Sequence, residues 1–200
     1  GFTCTGLYYD EEEQLFYVGN AGKYQPEEKI FKATIEIIDS KFENIVETID
    51  LYNKYPELKD IQGVTKDKDN KIWFCSPAEN LVRLITKDGN EVSKISVENP
   101  TGIAFDKEKN SLWVLTNKFL INFSIDGKII KKFNIKEKGQ DQLYIDKEKI
   151  LFTAGVDYNG DSYVYEVDKE TGEYNMKYIL KDSFAIEGIS IKDGNMLILN

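Results

Sequence analysis

Apolar and polar residues alternate along this 200-residue chain in short runs, and the runs recur in a fixed order. Each copy opens with a polar residue before an alternating run, which leads through a small turn into a second apolar run. Three clear copies begin at Thr5-Gly6, Gln62-Gly63 and Thr101-Gly102, and two weaker ones begin at Asp141-Gln142 and Glu187-Gly188. Because alternation with period two is typical of strands, the pattern predicts a repeated set of β-strands.

The copies are spaced by roughly 40 residues, which is typical of the blades of a β-propeller. In the third copy, four strands are predicted over residues 102–106, 112–117, 120–125 and 128–135. Asp126-Gly127 joins the last two, and this dipeptide favours a tight hairpin turn. The sequence therefore predicts an all-β chain, a β-propeller of four-stranded antiparallel blades.

The repeats divide the chain into approximate blades 1–57, 58–98, 99–137, 138–182 and 183–200, which together form a single domain. The first is the longest, because residues 22–32 are inserted before its third strand and residues 50–60 extend its exit. The last stops after two strands. We therefore expect about four and a half blades of a five- or six-bladed ring, and a natural protein that continues beyond Asn200. The predicted core consists of Leu7, Tyr9, Phe16, Val18, Trp73, Ile103, Phe105, Trp113, Leu115, Phe152, Ile189 and Leu197.

The charge and composition exclude several classes of function. The chain has 35 acidic and 26 basic residues and a net charge of −9, which argues against a nucleic-acid partner. No apolar segment is long enough to span a membrane. The absence of His excludes Ser-His and Cys-His catalytic pairs. The Lys-, Ile- and Asn-rich composition looks bacterial. Because residue 1 is Gly, we read a processed or trimmed product and slightly favour an extracytoplasmic over a cytoplasmic location.

The chain contains two cysteines, Cys4 and Cys75. Two sulfurs without His do not complete a zinc site unless carboxylates supply the other ligands. Cys4 precedes a predicted inner strand and Cys75 ends the second strand of the next repeat, so both belong at the same end of adjacent blades. The main interpretation is two reduced, mostly buried thiols, and the alternative is a disulfide.

Polar residues are predicted to converge at one end of the central channel. The first strand of each blade lines that channel, so the residues before each Gly fall at one rim, and the ends of the second strands return to the same face. Three interpretations stay open: side chains that solvate the channel, a ligand site without metal, or a site for a hard cation such as Ca²⁺. The candidate ligand-binding residues are Thr5, Asn20, Gln62, Ser76, Thr101, Asn117, Asp141, Glu187 and Asn200.

Two blade openings resemble a known group of proteins. Pro100-Thr101-Gly102-Ile103-Ala104-Phe105-Asp106, followed by Ser111-Leu112-Trp113-Val114, is similar to the openings of NHL, YWTD and gluconolactonase-like propellers, as is Ile186-Glu187-Gly188-Ile189. Such openings occur in binding proteins, receptors and hydrolases. In the gluconolactonase-like enzymes, a metal held by Glu, Asn and Asp polarises a lactone carbonyl and activates water. The resemblance implies Glu187 as a metal ligand by motif, with Asn117 and Asp141 as further ligands by position.

Two other segments are weaker candidates. The run 157–161 resembles a calcium loop in its acidic spacing but lacks the expected Gly, which favours an ordinary connection. The aromatic residues of the insertion 22–32, together with Tyr52 and Tyr55, are expected either to wall a sugar or peptide site or to pack on their own loops.

The favoured hypothesis is a non-catalytic propeller that uses the polar channel face to bind a small molecule, a glycan or a protein, and needs no cofactor. The alternative is a divalent-metal-dependent lactonase or hydrolase, for which Ca²⁺ or another divalent cation would be required.

Overall fold

The computed structural model describes residues 4–22, 24–25, 30–146, 148–155, 160–183 and 186–199. Within these ranges the regular structure consists of strands, with one short 3-10 turn at Pro77–Glu79. The all-β prediction is therefore confirmed. None of the helical structure in these ranges is long and apolar enough to cross a membrane.

Four antiparallel sheets of four strands form blades around a ring in the described part of the chain. In blade one, β1 (Cys4–Asp10) and β2 (Leu15–Asn20) are followed by β3 (Tyr24–Gln25) and β4 (Ile30–Phe31), which form a separate two-stranded sheet. The four-stranded sheet is completed by β5 (Thr34–Asp39) and β6 (Ile45–Asp50). Blade two contains β7 (Val64–Lys66), β8 (Ile72–Ser76), β9 (Leu81–Ile85) and β10 (Glu91–Ser96). Blade three contains β11 (Pro100–Asp106), β12 (Ser111–Thr116), β13 (Phe119–Ser124) and β14 (Ile129–Asn134). Blade four contains β15 (Gln140–Asp146), β16 (Lys149–Ala154), β17 (Ser162–Asp168) and β18 (Tyr174–Leu180).

A hairpin of β19 (Gly188–Lys192) and β20 (Asn195–Leu199) follows blade four. β19 lies against β15 of blade four and against β1 of blade one. The Tyr9 backbone N–H donates to Ser190 Oγ at 3.2 Å, and the Gly6 N–H donates to the Glu187 carbonyl oxygen. The inner strands β1, β7, β11, β15 and β19 therefore contact one another in turn around the channel.

The core lies between neighbouring blades, as expected for sheets that are apolar on both faces. Trp73 of β8 is fully buried in a cluster shared by blades two and three, and Trp113 of β12 is buried against blade four. The predicted core residues are buried, except Leu197, which is partly buried against blade one. Strand bounds agree with the prediction to within two residues. The difference that affects the candidate site is that β12 ends at Thr116, one residue before Asn117.

Candidate functional site

The channel has two ends, which differ in the residues that the inner strands place there. The inner strands run in the same direction, so they begin together at one end and finish together at the other. We call the first end the upper mouth, defined by Thr5, Gln62, Thr101, Asp141 and Glu187. We call the second end the lower mouth, defined by Asp10, Lys66, Asp106, Asp146 and Lys192.

Glycines bring adjacent inner strands together at the upper mouth. A Cβ atom added to Gly6 would lie 2.3 Å from the Gln62 carbonyl oxygen, and one added to Gly102 would lie 2.5 Å from the Asp141 carbonyl oxygen. Any larger residue would clash with the neighbouring backbone. Gly6 also has a φ of +84°, which other L-residues rarely adopt. The glycines of the blade openings are therefore required because neighbouring inner strands approach each other closely at these positions. The polar residues that precede them lie at the same end of the channel.

Two of these polar side chains are used by the backbone. Thr5 is buried, and its hydroxyl donates a hydrogen bond to the Ile61 carbonyl oxygen. The Thr101 hydroxyl makes a longer hydrogen bond of 3.4 Å to the Leu115 carbonyl oxygen. Because buried carbonyl groups need a hydrogen-bond donor, these two hydroxyls satisfy backbone carbonyl groups at the strand ends. Gln62 is partly buried beside them, and its backbone N–H donates to the Cys75 carbonyl oxygen at 3.0 Å.

The candidates from the second strands lie in different environments. Asn20 is buried, and its Oδ1 accepts a hydrogen bond from the Gly22 N–H at 2.9 Å. Ser76 is buried, and its hydroxyl donates to Asp60 Oδ1 at 2.6 Å. Asn117 is exposed in the turn after β12. The residue of blade three equivalent to Asn20 is Thr116, which pairs with Pro100 as Asn20 pairs with Cys4. Asn200 lies outside the described residues.

Asp141 and Glu187 form an acidic pair at the upper mouth. The pKa of Asp141 is raised to about 7, chiefly by burial and in addition by the negative charge of Glu187, while a hydrogen bond from the Gln142 side chain at 3.2 Å opposes the shift. Burial also raises the pKa of Glu187. At neutral pH the pair therefore carries less than two full negative charges. It can accept a cation or exchange hydrogen bonds with a polar ligand.

The upper mouth supplies few ligands for a metal. Across the described ranges, the Cys, Asp and Glu side chains form no group of three or more that could hold a metal ion. Asp141 and Glu187 are two carboxylates, whereas Ca²⁺ takes roughly six to eight oxygens. Backbone carbonyls, amides or water would have to provide the rest.

The remaining sequence candidates have identifiable surroundings. Tyr55 is buried in the core under blade one, and its hydroxyl donates to the Gly89 carbonyl oxygen at 2.9 Å, so its ring packs rather than walls a site. Tyr52 is partly buried, with Lys32 Nζ 5.8 Å from its ring centre. In the calcium-like run, residues 157–159 lie outside the described residues, and Asp161 pairs with Lys181 at 2.5 Å.

Both cysteines are free thiols. Cys75 is fully buried, and burial raises the pKa of its thiol to about 12. Cys4 is partly buried, and its pKa is also raised, mainly by burial. The interpretation as two reduced thiols therefore describes this structure, and neither sulfur is an activated nucleophile.

The lower mouth, which was not predicted from the sequence, has an open cavity of about 430 Å³. A narrower space of about 40 Å³ lies between the inner strands further along the channel. Tyr8 of β1 and Tyr144 of β15 line both spaces. These tyrosines occupy equivalent positions in the first and fourth repeats, Leu-Tyr-Tyr-Asp and Leu-Tyr-Ile-Asp. This recurrence is the feature of the sequence from which the lower mouth could have been predicted.

Comparison with known proteins gives matches among solved structures alone. No family model matches the chain, and no curated protein matches its sequence. A streptogramin B lyase superimposes with a TM-score of 0.64 at 15% identity, over 98% of this chain and 61% of that chain. A nidogen/laminin complex gives a TM-score of 0.64 at 13% identity, over 98% of this chain and 71% of that chain. The WD40 repeats of RRP9 give 0.61 at 8% identity, over 88% of this chain and 51% of that chain.

These matches concern the fold. The chain spans 61% of the length of the streptogramin B lyase and about half that of the RRP9 repeats. At such identities, likeness of structure is no guide to activity, and the matched proteins include both a lyase and a protein found in a complex. The chain has a β-propeller fold, which is the fold implied by the predicted resemblance to the NHL, YWTD and gluconolactonase-like propellers.

Proposed function

We propose that this protein is a non-catalytic binding propeller that holds its ligand at the upper mouth. The observation that carries the proposal is that Asp141 and Glu187 lie at the starts of β15 and β19, two inner strands that contact each other, and that the charge of Glu187 raises the pKa of Asp141. Two neighbouring carboxyl groups, one with a pKa of about 7, offer both hydrogen-bond donors and acceptors at neutral pH. They suit a polar group with positive charge or several hydroxyls, on a small molecule, a glycan or a protein.

Binding is favoured over catalysis by the chemistry of the surrounding groups. The chain has no His to act as a general base. The thiol pKa values of Cys4 and Cys75 are raised rather than lowered, which disfavours the nucleophilic thiolate. The hydroxyl of Thr5 is committed to a backbone carbonyl oxygen. These features support recognition as the role of the upper mouth.

The experiment is a screen of glycan and peptide arrays with the labelled protein, repeated with three variants. Glu187→Gln and Asp141→Asn should lose most of the signal of any specific hit. Glu98→Gln removes an exposed charge between blades two and three, outside the acidic pair, and should keep the signal. An array without hits above background, or hits that survive both upper-mouth variants, would contradict the proposal.

The second candidate is a divalent-metal-dependent hydrolase of the lactonase type. It is favoured by the position of Glu187, which lies in the Glu-Gly blade opening and at the same end of the channel as Asp141. The described residues fit a catalytic metal centre incompletely, since they supply two carboxylates and Asn117 lies exposed in a turn. We therefore derive no reaction step from it.

A thermal melt in EDTA, followed by addition of Ca²⁺, Mg²⁺ or Mn²⁺, tests this candidate without an enzymatic assay. A bound ion raises the melting temperature by mass action, and Glu187→Gln should abolish the gain. A flat response to all three ions would remove the hydrolase candidate and leave the binding proposal intact.

We also propose that the hairpin of β19 and β20 is the inner half of a fifth blade, in a ring of five. β19 contacts both β15 and β1, and Gly188 packs so closely that an added Cβ would lie 2.7 Å from Leu7 Cβ. Hydrogen exchange tests this arrangement. The Gly6 and Tyr9 amides, whose acceptors are on this segment, should exchange as slowly as amides inside blade one, and fast exchange would argue for a wider, six-bladed ring.

A further inference from the structure

The lower mouth is large enough to hold a small molecule. Its cavity of about 430 Å³ lies at the opposite end of the channel from Asp141 and Glu187. Pockets of roughly 300 to 1,000 Å³ are the usual size for such ligands. Residues from β1, β11, β15 and β19 contribute to the wall, so it is built on inner strands of several blades rather than on one loop.

The wall combines aromatic faces with apolar surface. Tyr8 and Tyr144 are partly buried tyrosines of the wall, and Phe105, Ile145 and Ile191 provide its apolar part. Burial raises the pKa of Tyr144 to about 12, with the charges of Asp146 and Glu11 adding to the shift. The rings therefore stay neutral, and neutral tyrosine faces attract cations through the negative potential of the π-system.

The charges around the cavity are mainly negative. Asp106 and Lys169 neutralise each other, because Lys169 Nζ lies 2.9 Å from Asp106 Oδ2 and both side chains are buried. Apart from that pair, Lys107 is the one cation among the described lining residues. It is opposed by four carboxylates: Glu11, Glu12, Glu108 and Asp146. Two other lysines of the lower mouth are engaged elsewhere, since Lys66 pairs with Asp10 and Lys192 Nζ donates to the Ser40 carbonyl oxygen at 2.6 Å. The lining of the cavity therefore carries more negative than positive charge, which favours a positively charged ligand over an anion.

Tyr9 is a third tyrosine of the wall. Tyr9 lines the cavity and is 5% exposed, yet its hydroxyl has no hydrogen-bond partner within the described ranges. Its ring is fixed by contact with Phe16, 4.6 Å away between ring centres. The hydroxyl oxygen itself is buried, so Tyr9 contributes its ring to the wall and the proposed site does not use the hydroxyl.

We propose that the lower mouth binds an organic ammonium or guanidinium group carried on an apolar stem. The cationic group would face the tyrosine rings and the acidic rim, and the stem would contact Phe105, Ile145 and Ile191. This site is separate from the proposed upper-mouth function and does not depend on it.

Calorimetric titration with phenethylamine, which is cationic at pH 7, tests the proposal on the intact protein. Phenylacetate and 2-phenylethanol have the same ring with a negative charge or none. We expect saturable binding of the amine and none of the two controls. Equal binding of all three, or no binding of the amine, would overturn the proposal.

A second titration uses Nα-acetyl-lysine amide, whose side-chain amine stays cationic. Tighter binding than that of phenethylamine would identify a polypeptide side chain as the source of the cation, and weaker binding would identify a free amine.

Variants locate the binding at the lower mouth. Tyr144→Leu removes an aromatic face and should weaken amine affinity about fivefold, as expected for one cation–π contact, whereas Tyr144→Phe keeps the face and the affinity. Glu12→Gln should also weaken binding, whereas Glu98→Gln, outside the cavity lining, should not. Tyr178→Leu on the exposed outer strand of blade four controls for loss of a tyrosine. Unchanged affinity in Tyr144→Leu, or equal losses in the two Glu variants, would contradict the assignment.

Discussion

Replacing Lys66 with Met should destabilise the propeller strongly, because this lysine is one half of a buried ion pair between two blades. Lys66 ends the inner strand of blade two and is 2% exposed. Its Nζ lies 2.6 Å from Asp10 Oδ2 and 2.9 Å from Glu13 Oε2 of blade one. Tyr17 donates a further hydrogen bond of 2.6 Å to Glu13. Met has a similar apolar stem, so the substitution removes mainly the charge and its hydrogen bonds.

The magnitude follows from what is left behind. Asp10 is as buried as Lys66 and would lose its cation in the variant. Breaking a buried pair by removing one partner costs about 3 to 5 kcal/mol, chiefly because the other charge stays uncompensated. For a chain of this size, each kcal/mol changes the melting temperature by about 2 to 4 °C. We therefore expect Lys66→Met to melt about 6 to 20 °C below the parent protein.

Thermal melts followed by circular dichroism provide the measurement, with two comparison variants. Lys128→Met breaks a pair of similar length, 2.8 Å to Asp126, in which both side chains are mostly exposed, and it should change the melting temperature little. Asp10→Asn combined with Lys66→Met removes both buried charges while Asn retains an acceptor for the turn amides. The double variant should be less destabilised than Lys66→Met alone.

Acid titration provides an independent check of the same pair. Burial raises the pKa of Asp10, but the hydrogen bond and charge of Lys66 and the Glu13 N–H outweigh burial and hold this pKa below its usual value. The stabilisation is therefore complete above the unfolded-state pKa, about 4, and is lost as pH falls through the folded-state pKa. Stability of the parent protein should fall more steeply below about pH 4 than that of the double variant. A Lys66→Met melting temperature within about 2 °C of the parent would refute the reasoning.

Four further predictions concern the upper mouth and the buried Cys75. Asp141, with its pKa raised to about 7, stabilises the fold most at acidic pH and loses that contribution as pH rises from about 4 to 7, so Asp141→Asn should melt above the parent at pH 8 and close to it at pH 4. Glu187→Gln should lower the pKa of Asp141 in a carboxyl NMR titration but leave it above the usual range, because burial is the larger cause. Gly102→Ala should lower the melting temperature by several degrees, since its Cβ would lie 2.5 Å from the Asp141 carbonyl oxygen. Because Cys75 is buried and the pKa of its thiol is raised, it should resist thiol reagents at pH 8 until the protein unfolds.

The positions of the candidate residues on the strands were predictable, but the role of each side chain was not. The sequence placed Thr5, Thr101 and Asp141 at the start of inner strands, which is where they lie. It did not show that the Thr5 hydroxyl is used by a backbone carbonyl oxygen, because its acceptor belongs to Ile61, 56 residues away. Nor did it distinguish Asn117 from Thr116. The pairing of β11 with β12 shifts register between Pro100 and Gly102, and a strand pattern alone does not reveal such a bulge.

The sequence by itself determined the repeat, the strands, the hairpin turns and the interblade core, because alternation and turn chemistry are local properties of the chain. Tertiary structure decided which polar residues are buried and what they face. Nothing in Val64-Thr65-Lys66 marks this lysine as buried, and its burial follows from the carboxylate of Asp10 on the neighbouring blade. The lower mouth likewise exists because Tyr8 and Tyr144, distant in sequence, line one cavity. Pairings across a ring depend on how whole blades pack, and this information is not present in any single repeat.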